Sequence, residues 1–386
     1  MGKPKIRFKG YEDDWEQRKV GNFLTESREV GHKGDVAHKM TVKLWSKGIC
    51  EKNEAGSSNT QYFIRHTGQF IYSKLDFLNC AFGVVPKNLE SFETTADVPA
   101  FDCNEINPYF MFYTAIQPAF YKKNGIIADG SRKAKRIHVE TFLNMPFFIP
   151  NLEEQNKIVD ALSSLDHLIT LHQRKCEETK SLKKYMLQKM FPENGKCVPK
   201  IRFSGFSDDW EQRKVSEIGN IVTGSTPKTS ISDNYGGEFL FVSPADIQEN
   251  RYVDETITTL TKKGFDQGRK IREKASLFVS IGSTIGKVAQ TSQESTTNQQ
   301  INAVEPYDNF DDDFIFTSLE NISGSIKAIA SNQAVPIVNK TTFGETEIKV
   351  PSELAEQQKI GAYFRNLDHL ITLHQRKCEE TKSLKK

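Results

Sequence analysis

The chain has 386 residues, of which 37% are hydrophobic and 26% charged, a balance typical of a globular protein with two domains of ordinary size. With 52 basic and 50 acidic residues the formal net charge is only +2, so a polyanionic partner would have to bind local basic patches. No apolar run reaches the roughly 18–20 residues needed to span a bilayer, and no apolar stretch follows residues 1–5. We therefore expect no membrane segment, no signal peptide and a cytoplasmic protein.

The cysteines are scattered, and no two of them form a Cys-x-x-Cys pair. Paired spacing is the usual mark of a zinc site, and a dense even set in a short secreted chain marks a disulfide framework. Because neither pattern is present, we expect free thiols and no metal site at Cys50, Cys80, Cys103, Cys176, Cys197 and Cys378.

Two segments of the sequence occur twice. Residues 5–20 (KIRFKGYEDDWEQRKV) match residues 200–215 (KIRFSGFSDDWEQRKV) at 13 of 16 positions, and residues 165–184 (LDHLITLHQRKCEETKSLKK) recur unchanged as residues 367–386. The inserts between them, residues 21–149 and 216–350, share no run that aligns. The near-identical segments that flank the inserts, which we call the frame, are under strong constraint, whereas the inserts differ. This pattern indicates that the inserts carry specificity. The simpler alternative, drift after a recent duplication, would not preserve the flanks alone.

The second repeated segment predicts a long helix in each half. Apolar and small residues step by four and three along residues 158–179 and again along 360–381, the pattern of a coiled-coil seam. Asn151 with Glu154 three residues later marks a helix start, and Ser352 takes the capping role in the second copy. The first helix should run from about residue 153 to 189, or roughly 55 Å. We expect the two helices to pack on each other in antiparallel orientation.

The inserts have the pattern of mixed α and β structure. Short runs rich in β-branched and aromatic residues predict strands at residues 69–73, 80–85, 239–243 and 276–281. The predicted fold class is α+β: two mixed α/β domains separated by two long helices packed as an antiparallel coiled coil, with a pseudo-twofold internal duplication. The predicted division is a first domain over residues 1–150, a central constant helix over 151–192, a second domain over 193–350 and a C-terminal constant helix over 351–386.

Taken together, these features resemble the specificity subunits of type I restriction-modification systems over nearly the whole chain. The first insert contributes residues 68–76 (GQFIYSKLD), 81–86 (AFGVVP), 97–101 (DVPAF) and 130–133 (GSRK). The second contributes residues 224–227 (GSTP), 281–287 (IGSTIGK) and 298–303 (NQQINA). The most specific part is the duplicated Glu-Gln-x-Lys-Ile segment followed by Leu-Asp-x-x-Ile-x-x-x-Gln-x-Lys.

The resemblance implies that each insert is a target-recognition domain that binds one half of a split double-stranded DNA site, while the helices set the gap between the halves. It implies a subunit without catalytic residues that positions two methyltransferase subunits and restriction subunits. S-adenosylmethionine, ATP and magnesium would be bound by those partners, and no cofactor by this chain. Phosphate contacts would supply affinity and contacts to base edges would supply specificity.

The first insert has a dense basic run at Arg132, Lys133, Lys135 and Arg136, with Lys122 and Lys123 just upstream. Arginine can bind guanine O6 and N7 through two hydrogen bonds, and lysine more often contacts phosphate. A charged run is usually only a solvated surface, so the family resemblance is what favours DNA contact here. Ser73 and Lys74 are a second choice.

In the second insert, polar and basic side chains recur in segments predicted as loops. Side-chain amides can bind adenine N6 and N7, although Asn and Gln in loops commonly cap turns instead. Residues 262–263 and 269–272 add positive charge that would only steer DNA. The candidate contact residues are Thr226, Lys228, Ser283, Thr284, Lys287, Asn298 and Gln299.

Three motifs of catalytic type fail on inspection. Residues 106–110 (INPYF) lack the second proline of the Asn-Pro-Pro-Tyr loop of adenine methyltransferases. Residues 282–287 lack one residue between the glycines of a phosphate-binding loop and have Val288 where Ser or Thr should bind magnesium. The pairs His167/His172 and His369/His374 are five residues apart, whereas metal pairs on one helix face need three or four. We expect these histidines in the helix seam or on the surface.

Two other classes of function stay open at this point. A coiled-coil assembly protein whose inserts bind other proteins would suit the near-neutral net charge. A stand-alone nuclease is disfavoured because the sequence has no convincing acidic metal cluster.

Overall fold

The structure is a computed structural model that describes residues 4, 6–126, 136–193, 195–330 and 337–385. The chain divides into two compact units, Met1–His167 and Leu168–Lys386. In the described part of the chain no helix is both long enough and apolar enough to cross a membrane. The division into four segments stays a prediction.

The first unit is built mainly from short antiparallel strands. They form one sheet of order β2-β10-β7-β8, a second of order β3-β6-β9, and the pairs β4-β5 and β1-β11. The predicted strands at residues 69–73 and 80–85 are confirmed as β7 and β8. The strands are β1 (Glu16–Lys19), β2 (Leu24–Ser27), β3 (Val30–Lys33), β4 (Met40–Val42), β5 (Ile49–Glu51), β6 (Gln61–Ile64), β7 (Phe70–Tyr72), β8 (Phe82–Val84), β9 (Glu93–Thr95), β10 (Ala100–Cys103) and β11 (Pro146–Ile149).

Aromatic side chains form the centre of the first unit. The rings of Tyr72 and Phe142 lie 4.6 Å apart, and those of Phe77 and Phe82 lie 4.9 Å apart edge to face. Such pairs add roughly 0.5–1.5 kcal/mol each to the burial of their area. The helices of this unit are α1 (Pro108–Ala115), α2 (Pro118–Gly125), α3 (Val139–Leu143) and the first part of α4 (Leu152–Met190).

The second unit has longer sheets, of order β13-β21-β18-β19-β15 and β16-β14-β20-β17, and the pair β12-β22. The predicted strands at residues 239–243 and 276–281 are confirmed within β14 and β18. The strands are β12 (Glu211–Lys214), β13 (Gly219–Thr223), β14 (Tyr235–Val242), β15 (Tyr252–Val253), β16 (Thr259–Leu260), β17 (Lys270–Ile271), β18 (Ser276–Val279), β19 (Val288–Thr291), β20 (Ser295–Thr297), β21 (Ile301–Pro306) and β22 (Glu347–Val350). The helices are α5 (Val215–Ile218), α6 (Lys262–Phe265), α7 (Asp312–Ala330), α8 (Lys340–Gly344) and α9 (Leu354–Lys385).

In each unit one strand pair joins the two ends of the insert. β1, which precedes the first insert, pairs antiparallel with β11 at its end, with Arg18 opposite Phe147. β12 pairs with β22 in the same way, with Arg213 opposite Ile348. Because the ends of each insert are adjacent strands, the chain between them can differ without moving the frame.

The start of each long helix is tied to the segment that precedes its unit's insert. Arg7 donates two hydrogen bonds to the carboxylate of Glu154, at 2.7 and 2.8 Å, and Arg202 donates two to Glu356 at the same distances. Both glutamates are almost fully buried. Paired arginine–carboxylate contacts of this kind are strong and fix orientation.

The glutamine after each of these glutamates binds the backbone of the insert. Gln155 Oε1 accepts from the Asn107 amide at 2.9 Å, and Gln357 Oε1 accepts from the Asp311 amide at 3.0 Å. These amides directly precede α1 and α7, so the same side chain positions a helix in each insert. The contact uses backbone atoms and therefore does not depend on the insert's sequence.

The long helices begin close to where the sequence predicts. α4 spans 39 residues, and the predicted Asn151 cap is present because its Oδ1 accepts from the Glu154 amide at 2.9 Å. α9 begins at Leu354, so Glu353 occupies the position before its first helical residue. The expectation of Ser352 there was wrong, since the second copy has one more residue between its proline and the helix.

Within the second unit, residues 168–190 of α4 pack antiparallel on α9. His172 contacts His374, with 3.2 Å between the two Nδ1 atoms, and Lys183 lies 2.6 Å from Asp368. From the first contact to the second, the residue number increases along α4 and decreases along α9, so the two helices run antiparallel. The predicted seam is confirmed in α9, whose buried side chains include Ile360, Phe364, Leu367, Ile371 and Cys378.

A buried charge network joins the second insert to these helices. The guanidinium of Arg251, which is 2% exposed, donates to Asp313 at 2.7 Å and to Asp368 at 3.1 Å. Asp368 belongs to the repeated segment and also pairs with Lys183. The equivalent residue of the first unit, Asp166, accepts a hydrogen bond from Tyr113 at 2.8 Å. The same constant carboxylate thus accepts from a different donor in each insert.

We predict that Arg251→Met lowers the free energy of unfolding of the second unit by about 3 kcal/mol, because removal of one partner leaves buried carboxylates undercompensated. Urea denaturation of the full chain, followed through buried Trp210, measures the change. The matched control is Arg213→Met, which breaks an exposed pair with Glu211 and should cost at most about 1 kcal/mol. Equal losses of unfolding free energy in Arg251→Met and Arg213→Met would contradict a stabilising role for the buried Arg251 network.

The histidine pair predicts a pH dependence. Burial, and next the charge of His172 and nearby Lys175 and Lys377, lower the pKa of His374 below its ordinary value of 6.5. The unfolded chain therefore takes up this proton first, so stability present above about pH 6.5 is lost as pH falls towards the folded-state pKa.

The melting temperature of the second unit should fall between about pH 7.5 and pH 5.5, and His374→Gln should reduce that fall. His369→Gln, an exposed change on the same helix, should leave it unchanged. An identical fall in the wild type and His374→Gln would refute this role of His374.

Candidate functional site

Two loops of the second unit that carry predicted contact residues lie side by side. The Ser225 amide donates to the Thr297 carbonyl at 2.9 Å, and the Thr226 hydroxyl donates to Gln299 Oε1 at 2.6 Å. Thr226, Lys228 and Gln299 are all exposed. The structure therefore brings together a hydroxyl and an amide, with the exposed Lys228 two residues from Thr226 along the chain, and all three groups can bind phosphate or base edges.

The approach of these loops requires glycine at position 224. A Cβ atom there would lie 2.1 Å from the Asn298 carbonyl oxygen and 2.2 Å from Thr297 Oγ1, closer than such atoms come in real structures. Gly224 therefore has a physical role in the motif of residues 224–227: it lets the two backbones meet.

Arg269 is fixed beside the same loops. Its guanidinium donates to the Thr223 carbonyl at 2.8 Å, and its amide donates to Ser225 Oγ at 3.2 Å, while the side chain stays exposed. From the sequence we expected Arg269 only to steer DNA, but its position makes it a candidate contact residue. No sequence signal distinguished it from the neighbouring basic residues.

The turn that holds Ser283 and Thr284 is also close to these loops. Gly282 and Gly286 have φ of +97° and +90°, a left-handed conformation that favours glycine. A Cβ on Gly282 would lie 3.6 Å from Gln300 Nε2, so the turn neighbours residues 298–300. Ser283 is exposed and Thr284 is half-buried.

Two further candidates, Lys287 and Asn298, also have intramolecular partners. Lys287 Nζ donates to the Ile247 carbonyl at 2.8 Å, and Asn298 Oδ1 accepts from the Gln300 amide at 3.0 Å. A ligand would have to compete with these bonds. Both residues stay predictions, with Asn298 in the turn-capping role that loop amides commonly have.

In the first unit the structure brings Lys74 and Arg136 together around Asp97. The Lys74 amide donates to the Asp97 carbonyl at 2.9 Å, and Arg136 pairs with the Asp97 carboxylate at 3.5 Å. Burial lowers the pKa of Lys74. Ser73 is buried, and its hydroxyl bonds Asp76 at 3.1 Å, so it supports the turn from within.

The other basic candidates of the first unit are at or beyond the end of α2. Lys122 and Lys123 lie exposed in its last turn. Arg132, Lys133 and Lys135 lie outside the described residues. Among the residues that are described, no group of three or more His, Cys, Asp or Glu side chains is arranged to hold a metal ion.

Both halves of the chain match a known family. The sequence model of the type I restriction modification DNA specificity domain matches residues 13–181 and 207–383. The chain therefore belongs to this family and carries its domain twice, and the resemblance stated from the motifs is confirmed.

Two relatives are specificity subunits of named restriction enzymes. The chain is 30% identical over 170 residues to the type I restriction enzyme HindI specificity subunit of Haemophilus influenzae, which covers 42% of this chain and 37% of the relative. It is 29% identical over 168 residues to the MjaIX specificity subunit of Methanocaldococcus jannaschii, covering 42% and 39%. The chain thus spans less than two fifths of the length of either relative.

The fold is also that of a solved protein. The crystal structure of the type I restriction-modification system S subunit from M. genitalium covers 99% of this chain and 96% of its own, with a TM-score of 0.69 and 13% identity. The expected α+β fold of duplicated specificity domains with long helices is thereby confirmed.

Proposed function

We propose that this chain is the specificity subunit of a type I restriction-modification enzyme and binds a bipartite DNA target, one half with each insert. One observation carries the proposal: each of the two family matches contains an insert unlike the other. The ends of both inserts are joined by an equivalent strand pair and an equivalent glutamate–arginine contact. A constant frame around unlike inserts suits a protein that recognises two unlike half-sites.

The exposed groups of the second unit support DNA as the ligand. Thr226, Lys228, Arg269 and Gln299 combine cations for phosphate with an amide and a guanidinium that can bind base edges in the major groove. In the first unit, Lys122 and Lys123 offer cations that pair with no carboxylate among the described residues. Local positive charge of this kind can supply affinity although the net charge is only +2.

The remaining functions belong to partners. We propose that two methyltransferase subunits with S-adenosylmethionine and restriction subunits with ATP and magnesium assemble on this chain in the cytoplasm. The chain itself would contribute no catalytic residue and no cofactor. Its constant helices present the same surface residues twice, which suits the binding of two copies of one partner.

The test is an exchange of one insert. Residues 20–145, which lie between β1 and β11, are replaced by the corresponding segment of another family member, and methylated adenines are mapped in cells that carry the methyltransferase subunits. One half of the split motif should change while the other half and the spacing are kept, because β1 and β11 preserve the frame. The matched control exchanges residues 215–346, between β12 and β22, and should change only the other half.

A change of both halves after one exchange would contradict the one-insert, one-half assignment. A gel-shift titration at several salt concentrations distinguishes a DNA-binding subunit from the alternative, an assembly protein that binds only other proteins. Phosphate contacts make the affinity fall steeply as salt rises. Complete absence of DNA binding by the assembled subunits would favour the alternative.

A further inference from the structure

A tryptophan is exposed at the tip of a hairpin in the first unit. Residues Leu44–Ser46 form a short 3-10 turn between β4 and β5, and Trp45 is 57% exposed. By contrast, Trp210, the second unit's copy of Trp15 in the repeated segment, is only 3% exposed. A ligand that covered this indole would remove a large apolar surface from water.

The backbone under this tryptophan is strained. Trp45 has φ 59° and ψ 35°, and Ser46 has φ 55°, the left-handed region that bulky residues rarely occupy. Cys80, which is hydrogen-bonded to Ser46 of the turn, also has a positive φ, of 56°. Left-handed residues other than glycine persist where surrounding contacts impose them, and they cluster at functional sites.

Hydrogen bonds within the turn and to Cys80 impose this conformation. The Ser46 amide donates to the Cys80 carbonyl at 2.9 Å, Ser46 Oγ lies 3.1 Å from Cys80 Sγ, and the Lys43 amide donates to the Gly48 carbonyl at 2.8 Å. Every one of these bonds leaves the indole of Trp45 unused. Glycine could adopt the same backbone without strain, so these bonds do not require tryptophan at position 45.

Lysines precede and follow the turn along the chain. Lys43 and Lys47 flank Trp45 and are exposed. α2, whose last turn holds Lys122 and Lys123, packs on the 3-10 turn Phe77–Asn79 that leads to Cys80. The contact is so close that a Cβ on Gly125 would overlap Leu78. Within the described residues, none of the four lysines forms an ion pair with a carboxylate. The turn, through Ser46, and α2, through Gly125, therefore both contact residues 77–80.

We propose that Trp45 is a DNA-contacting residue of the first insert, with its indole stacked against or wedged between bases of the duplex while Lys43 and Lys47 bind the flanking phosphates. The proposal rests on the proposed function and names a contact that the basic runs of the sequence do not include. Apolar wedges between base steps and aromatic stacking are established means of gripping nucleic acid. Tryptophan alone would also suit a protein interface, but the lysines on both sides of it favour DNA, since lysine is depleted at the core of protein interfaces.

The first test measures DNA binding by the chain assembled with its methyltransferase subunits. The probes are a duplex carrying the methylated motif and a duplex of equal length with the motif scrambled. Trp45→Ala should weaken binding to the motif about tenfold, within the lower half of the range of losses on removal of one stacking aromatic. Trp45→Phe should lose much less, and Tyr109→Ala, another exposed aromatic of this unit, should bind as the wild type does.

Two further readouts belong to the same experiment. The double variant Lys43→Ala/Lys47→Ala should reduce the slope of log affinity against log salt by about 2, as expected for two lost phosphate contacts. DNA should quench tryptophan emission in the wild type more than in Trp45→Phe.

A second variant separates DNA contact from a structural role. Trp45→Gly relieves the left-handed strain, so it should melt at or above the temperature of Trp45→Ala and still bind DNA as weakly. If Trp45→Gly or Trp45→Ala binds the motif with wild-type affinity, the proposal is overturned while the proposed function stands. Loss of the methyltransferase subunits with DNA binding intact would make the turn a protein contact and also overturn it. Failure of the wild-type assembly to bind either duplex would count against both.

Discussion

The carboxylates of Glu154 and Glu356 are almost fully removed from water, and each lies in the fork of an arginine from the segment before its own insert. A buried carboxylate is stable only with a well-oriented opposite charge, because its desolvation costs several kcal/mol. The first turn of each long helix is therefore coupled to Arg7 or Arg202. The chain before an insert and the chain after it are fixed together, whatever lies between them.

The contacts between frame and insert explain how one frame holds two unlike inserts. Gln155 and Gln357 bind backbone amides, which every insert possesses except at proline. Asp166 and Asp368 bind side chains, yet one accepts from a phenol and the other from a guanidinium. A carboxylate offers several acceptor positions, so it tolerates different donors. The inserts can then vary in the loops that carry Trp45 or Gln299 without loss of the anchoring contacts.

The sequence predicted the elements whose signal is periodic or repeated. The seam along residues 360–381, the Asn151 cap and the strands at residues 69–73 and 276–281 follow from local patterns. The sequence did not predict contacts between distant residues, such as Arg251 with Asp368 or Ser46 with Cys80, because these depend on topology. Basic residues were found by composition, but composition cannot show that Lys287 is half-buried while Arg269 stays exposed beside the loops, although each is bonded to a backbone carbonyl. The left-handed conformation of Trp45 had no signal, since tryptophan does not favour it.

Hydrogen–deuterium exchange on the full chain tests the coupling of frame and insert most directly. Glu356→Gln removes the charge that pairs with Arg202 and should speed amide exchange at the start of α7, residues 311–316, while residues 107–112 stay as protected as in the wild type. Glu154→Gln should give the reverse pattern. If either variant speeds exchange in both regions alike, or neither variant changes its own region, the inserts are not held by their own glutamates. That result would contradict the coupling of each insert to the frame.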